Sequence, residues 1–512
     1  MDFHSSFATC FKLIVLTIFL VSCSLSHANG DGTLPPSSLP VVKPNKTSSF
    51  TRNSFPPDFI FATASSAFQY EGAANIDGRG PSIWDHIAHN YPEKILDGSN
   101  GDVAQDFYHR YKEDIKLMKS YGLDAFRLSI SWSRIVPSGK VSKGVNKKGI
   151  EFYNNVINEL ISNGIKPFVT IFHADAPQAL QAEYGGYASP RIVNDYLDYA
   201  DICFKEFGDR VKRWATYNEP FVYSKYWFEQ NIIVGDLAKD PYLTAHHLLL
   251  SHAKAVQLYR KKYKTQNGQI GIVINTDWMV PYSNSKEDIQ ATQRAQDFKL
   301  GWFMDPLTKG EYPKVMQNIV GSRLPKFTVE EAAMVKGSYD YLGLNYYTGS
   351  YVKNVPSKSI EVNNVITDPH ANQTFERDGE LIGDPTGLHG FYVYPQGLGH
   401  LLVYMKKTYS NPTIYITENG MPDSNKATYE QLINDHQRVD FLHRHLIVVK
   451  DAITRDRVNV KGYFAWSFMD NWEWNQGFTV RFGLTFIDYK NDLKRIPKLS
   501  AKWLEAFLKG YK

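Results

Sequence analysis

Two glutamates sit in segments whose neighbours could act on a bound molecule. Glu219 lies in Thr216-Tyr217-Asn218-Glu219-Pro220 and Glu418 in Ile416-Thr417-Glu418-Asn419-Gly420. Each closes a short apolar stretch. Two carboxyls facing each other across a cleft suit cleavage of a glycosidic bond. One protonates the leaving oxygen while the other stabilises or attacks the anomeric carbon. The competing reading makes each glutamate a buried salt-bridge partner, and the surrounding elements decide between the two.

Those elements alternate. Eight strand candidates are Phe59–Ala64, Ala125–Ile130, Pro167–Phe172, Arg213–Tyr217, Ile270–Ile274, Tyr341–Leu344, Thr413–Thr417 and Gly462–Trp466. Their apolar runs lack strict alternation, as strands covered on both faces do. Helical patterns lie between them. One opens at Ser189-Pro190, repeats Ile192, Tyr196, Tyr199, Cys203 and Phe207 at helical spacing, and stops at Gly208. Another runs through Val156, Ile157, Leu160 and Ile161 to Gly164. Alternating units predict a parallel sheet. Eight of them predict the α/β class and a single (β/α)8 TIM barrel with extended βα loops. A doubly wound open sheet is the alternative, but no glycine-rich phosphate loop follows the first strand. In a barrel the C-terminal strand ends converge on one mouth. Those ends carry Gln69, Arg127, His173, Asn218 with Glu219, Asn275, Tyr347, Glu418 and Trp466, too many polar and aromatic groups in one register for a purely structural reading. Strands four and seven, which bear the glutamates, face each other across the lumen.

The chain of 512 residues carries 43% hydrophobic residues and a formal charge of +4. It is long enough for one large barrel, and no basic run suggests nucleic acid. Lys12, the apolar stretch Leu13–Val21 and the small residues up to Ala28 predict a signal peptide over 1–28. Residues 29–52 read as a flexible lead-in rich in Pro, Ser, Thr and Asn, and 53–512 as the barrel. The apolar run Leu13–Val21 is too short to span a bilayer, so no membrane association is expected after cleavage. The expectation is the secretory pathway, ending in the extracellular space (apoplast) or vacuole. Asn45 and Asn372 begin N-glycosylation sequons. Only Cys203 remains after the leader, which leaves no intramolecular disulfide. His246, His247 and His252 resemble a metal cluster in spacing, but helical placement in a core region favours structural roles. No metal or organic cofactor is implied, and a homo-oligomer is compatible with the sequence.

The segments around Glu219 and Glu418 closely resemble the two catalytic signatures of glycoside hydrolase family 1, in its plant β-glucosidase branch near enzymes that activate defence or aroma glycosides. The likeness runs from about Phe55 to the C-terminus and includes Phe126–Arg134, Tyr184-Gly185-Gly186, Asn345-Tyr346-Tyr347 and Asp470–Trp474. It implies a retaining double displacement on a small-molecule β-glucoside. Glu418 would be the nucleophile and Glu219 the acid/base, with the carboxyls roughly 5–5.5 Å apart. Arg127 and Tyr347 match residues that contact the nucleophile. A cation there favours the charged carboxylate, whose charge in turn raises the pKa of Glu219. Gln69, His173, Asn218, Glu473 and Trp474 match hydroxyl-binding positions, with Asn218 at the 2-hydroxyl. Trp466 matches the platform beneath the ring, and Phe482 matches a further substrate-binding position.

Three departures from the family pattern concern the leaving-group side. His173 is followed by Ala174 where the family usually has Trp. The loop Phe228–Tyr242 is short and has no cysteine. Gly390 stands where a tryptophan commonly walls the aglycone site. These departures predict a wider mouth for a bulky aglycone or a second sugar, unless Trp227 and Phe228 refill the space. A transglucosidase would share the covalent intermediate and differ in passing glucose to an alcohol. A thioglucosidase of this family has Gln at the acid/base position, unlike Glu219. A phospho-glycosidase needs a cationic pocket where Glu473-Trp474 stands. A sugar-binding protein on an inactive barrel would not need Glu219, Glu418, Arg127 and Tyr347 together.

Overall fold

The computed structural model of the chain describes residues 50–510. The leader, most of the lead-in and the Asn45 sequon lie outside them. Eight parallel strands close a barrel: β1 (Ile60–Ala64), β2 (Ala125–Ser129), β3 (Lys166–Phe172), β4 (Arg213–Asn218), β5 (Gln269–Asn275), β6 (Tyr341–Asn345), β7 (Ile414–Asn419) and β8 (Val460–Ala465). Each pairs with its neighbours in sequence, and β8 returns to β1. The strand ranges read from sequence lie within two residues of these at every end.

Before the next strand, or the chain end, comes a helix packed outside: α1 (Phe107–Ser120), α2 (Lys147–Ser162), α3 (Ile192–Phe207), α4 (Asp240–Lys262), α5 (Val329–Val335), α6 (Pro395–Thr408), α7 (His436–Thr454) and α8 (Leu499–Lys509). The periodic side chains of α3 are all buried, so its apolar face covers the sheet. Two details differ from expectation. Regular helix begins at Ile192, two residues after Pro190. Gly208 ends it without a left-handed turn, and a Cβ there would lie 2.0 Å from Gln266 Oε1, the movable end of a half-buried side chain.

Inside the barrel, Ile60, Ala62, Ala125, Phe168, Tyr341, Tyr415 and Phe464 form a plug. Phe168 meets Tyr415 and Phe464 edge-on at 5.4 and 4.9 Å. Two residues beyond Ala125 on β2, and so on the same side of the strand, stands Arg127. Phe50–Arg52, read as part of the lead-in, pack on the barrel: Phe50 against Phe55 and Phe507, and Arg52 in an ion pair with Asp124 at 2.9 Å.

The strands that bear the glutamates are irregular where it matters. Between Ala215↔Gly271 and Asn218↔Val273, β4 holds one residue more than β5. Between Ile416↔Leu344 and Glu418↔Asn345, β7 holds one more than β6. An extra residue bends a strand and redirects its side chains, and such bulges gather at barrel rims beside active sites.

Candidate active site

Glu418 is held at both oxygens. Arg127 Nη1 donates to Oε1 at 2.6 Å and the Tyr347 hydroxyl donates to Oε2 at 2.6 Å. Arg127 also donates through Nε to Thr170 Oγ1 at 3.1 Å and through Nη2 to Asn218 Oδ1 at 2.7 Å. Both charged groups are buried, at 2% and 3% exposure. A buried pair survives desolvation when the remaining donors are also satisfied. Burial and the Glu418 charge push the Tyr347 phenol well above its usual range, which keeps it a donor.

Glu219 directly follows β4 with a left-handed φ of +47°, a conformation that costs a non-glycine residue energy and clusters at functional sites. Its amide donates to Val273 O at 3.0 Å. Asn345 Nδ2 donates to Glu219 Oε1 at 2.6 Å and to Asn218 Oδ1 at 3.0 Å, while Asn345 Oδ1 accepts from Thr417 Oγ1 at 2.7 Å. A continuous path therefore runs Glu219–Asn345–Asn218–Arg127–Glu418. Burial first, then the Glu418 charge, pushes the Glu219 carboxyl up to about 8, against lowering by Asn345, Arg127 and Lys299. One carboxyl is thus a proton donor at neutral pH beside another gripped by a guanidinium.

Around this pair stands a ring of amide, imidazole and indole groups. Gln69, on the short helix Ala67–Tyr70, donates to Asn471 Oδ1 at 2.8 Å, Trp472 O at 2.9 Å and Glu473 Oε2 at 3.1 Å. Glu473 Oε1 and His173 Nδ1 are buried without a partner among the described residues, an arrangement that buried polar atoms reach chiefly where something else satisfies them. Asn218 Nδ2 meets His173 Nε2 at 3.0 Å. Burial and Arg127 hold His173 well below its usual range, hence neutral. Burial and the Glu418 charge push Glu473 well above the usual carboxylate range. The His173 ring lies near-parallel to those of Trp466 and Trp474, at 5.9 and 6.0 Å. Phe482 packs against Tyr347 at 6.0 Å. Arg127, His173, Asn218, Tyr347, Glu418, Trp466, Trp474 and Phe482 are thus joined by direct contacts, Glu219 joins them through Asn345, and Gln69 pairs with Glu473. Asn275 ends β5 as read, and its buried side-chain oxygen, like Glu473 Oε1 and His173 Nδ1, has no partner among the described residues.

Two residues emerge only here. Asn345, the hub of the path, lies in a segment already singled out and at a strand end, so register could have found it. Lys299 bears on Glu219 through its charge, which lowers that carboxyl's pKa; it sits on the helical turn Asp297–Gly301, paired with Asp277 at 2.8 Å. Nothing in its sequence neighbourhood marks it. The three α4 histidines each have their own partner: His246 with Tyr312 OH, His247 with Tyr187 O and His252 with Thr216 Oγ1.

On the leaving-group side, Ala174 is 6% exposed with φ +70°. Trp227 and Phe228 are buried, and Trp227 packs on Trp84, Tyr223 and Trp474 at 5.0, 5.1 and 5.6 Å. Beside Gly390, Phe391 packs on Tyr347 and Phe482 at 5.6 and 5.8 Å.

The family model described as Glycosyl hydrolase family 1 matches residues 51–512. The chain is 54% identical to furcatin hydrolase of Viburnum furcatum, over 88% of this chain and 86% of that protein. It is 50% identical to β-glucosidase 12 of Oryza sativa subsp. indica, over 97% and 98%. A rice β-glucosidase crystal structure superposes with a TM-score of 0.88 at 45% identity, covering 90% of this chain and all of that one. With two carboxyls meeting at the mouth of a closed barrel, these likenesses show that the chain belongs to glycosyl hydrolase family 1 and is a glycoside hydrolase of the β-glucosidase kind.

Proposed function

We propose that the chain hydrolyses β-D-glucosides of a plant specialised metabolite with retention, through a glucosyl ester on Glu418. The observation that carries this reading is the unequal environment of the two carboxyls. Glu418 is oriented at both oxygens by Arg127 and Tyr347, whereas Glu219 is kept protonated by burial and by the Glu418 charge.

In the first step Glu418 attacks C1 and forms the C1–O ester, while Glu219 gives its proton to the leaving oxygen as that C1–O bond breaks. Esterification removes the charge on Glu418, so the Glu219 pKa falls and the group becomes a base. It then takes a proton from water, which attacks C1 and returns Glu418 as carboxylate. Asn218 meets the 2-hydroxyl, where hydrogen bonding tightens toward the transition state. Gln69, His173, Glu473 and Trp474 read the other hydroxyls, and Trp466 covers the apolar face. A mutant of a rice relative in a covalent complex with glucose supports the ester.

Exposed apolar side chains on the loops after β1 and β4, Leu96, Tyr226 and Val234, support a bulky aglycone. The names of two relatives, furcatin hydrolase and raucaffricine-O-β-D-glucosidase, support a specialised metabolite. The exposed Asn372 sequon fits passage through the secretory pathway, which a glycosidase-sensitive mass shift of the native protein checks. The function itself is tested by NMR of a glucoside cleavage. The β-anomer of glucose should appear first, with faster turnover of large natural glucosides than of small aryl glucosides. The α-anomer appearing first would contradict the route, and preference for the smallest substrate would contradict the aglycone class. An alkyl glucoside as the main product with an alcohol present would make the chain a transglucosidase.

A further inference from the structure

The loop from Trp466 to Leu484 carries Trp466, Glu473, Trp474 and Phe482, so the site depends on how that loop is held. Its anchor is a buried carboxylate. Asp470 Oδ1 accepts from Gly483 N at 3.0 Å and from Lys498 Nζ at 2.8 Å, and Oδ2 accepts from Arg481 Nη1 at 2.6 Å. One side chain therefore ties the stretch just before Glu473 to the stretch just after Phe482. The two backbones are so close that a Cβ on Gly483 would lie 2.0 Å from Asp470 N. Lys498, from the segment leading into α8, adds its own amide to Leu484 O at 3.0 Å. Lys498 and Asp470 are both 0% exposed.

The pair belongs to a larger buried set. Lys498 Nζ also lies 3.5 Å from Asp423 Oδ2, and Arg438 bridges Asp423 to Asp435. Asp435 in turn accepts from the Ser500 amide at 2.8 Å. Three aspartates (Asp423, Asp435, Asp470) face three cations (Arg438, Arg481, Lys498), so the set is neutral. Apolar packing of similar volume would hold a fold at lower desolvation cost. What the ionic set adds is direction: both oxygens of Asp470 and of Asp435 have assigned donors, which fixes the loop along the lines of those bonds.

We infer that Lys498 is a positioning residue for sugar recognition, acting through Asp470 on the loop that carries Glu473 and Phe482. This rests on the reading above in which Glu473 and Gln69 hold sugar hydroxyls. A misplaced hydroxyl partner loses discrimination between epimers, because selectivity lies in which buried groups are left unpaired.

The test compares kcat/KM for a β-glucoside and the matching β-galactoside in the native chain, in Lys498→Met and in the charge-balanced double variant Asp470→Asn/Lys498→Met, with Tm alongside. The expected result is a glucoside-to-galactoside ratio about tenfold lower in both variants, mainly through KM for the glucoside. The double variant should recover Tm relative to the single one without recovering selectivity. Because it keeps the net charge of the set at zero, it serves where the single variant does not fold. A native ratio in either folded variant overturns the inference alone. A native chain that cleaves no β-glucoside overturns the functional reading and the inference with it.

Discussion

Glu219 and Glu418 are the same functional group in one pocket, and their neighbours separate their chemistry. Glu219 must carry its proton in the free enzyme, so kcat/KM should fall as pH rises through about 8. The Asn345 hydrogen bond lowers the Glu219 pKa, so Asn345→Ala should move that alkaline limb upward. An unmoved limb in a pH–rate profile would count against the path from Glu219 to Asn345. The same carboxyl bears on stability. Its folded pKa of about 8 stands above an unfolded value near ~4.3. Between the two, the folded state holds a proton that the unfolded state releases, so stability declines as pH rises through that window. Glu219→Gln removes the ionisation. Its Tm advantage over the native chain should be larger at pH 8.5 than at pH 5, by roughly 2 °C in calorimetry, while kcat on an unactivated glucoside drops by about 10²–10⁴-fold.

At the level of elements, the bulges in β4 and β7 and the positive φ of Glu219 turn ordinary strand ends into an opposed pair. The aromatic cluster of Trp84, Trp227 and Trp474 does similar work for the mouth. Trp227→Ala should cost about 3–5 kcal/mol of stability and shift preference among aglycones of different size, with smaller effects on KM for the glucose moiety, as measured with a panel of aglycones. A stability loss with an unchanged aglycone ranking would leave Trp227 a packing residue only. The strands were legible because each is a run of apolar residues ended by a polar group, and that register named most of the site. Lys299 was not legible, since it acts on Glu219 by charge from a helical turn whose position depends on packing after β5. Gly208 was read as the helix stop and does end the helix, though without the left-handed turn that favours glycine. The ordering of Phe50–Arg52 was also hidden, because their partners Phe507 and Asp124 are distant in sequence.

Across the whole molecule, the barrel is closed by side chains from both ends of the described chain. Phe50 and Phe55 pack on Phe507 of α8, and Arg52 holds Asp124 at the start of β2. Asp124 stands at the N-terminal start of β2, whereas the site gathers at the C-terminal strand ends. Phe50→Ala should therefore lower Tm by a few degrees, on the order of 1–3 kcal/mol, and leave kcat/KM at 25 °C unchanged. Loss of activity at that temperature would tie this end of the barrel to the mouth. The covalent route itself is tested most directly by trapping. The protein is incubated with a 2-deoxy-2-fluoro-β-glucoside bearing an activated leaving group, digested, and mapped by mass spectrometry. The fluoroglucosyl mass should appear on the peptide containing Glu418, and Glu418→Gln should abolish it. A label on any other residue, or brisk turnover that never accumulates a labelled peptide, would contradict a glucosyl ester on Glu418.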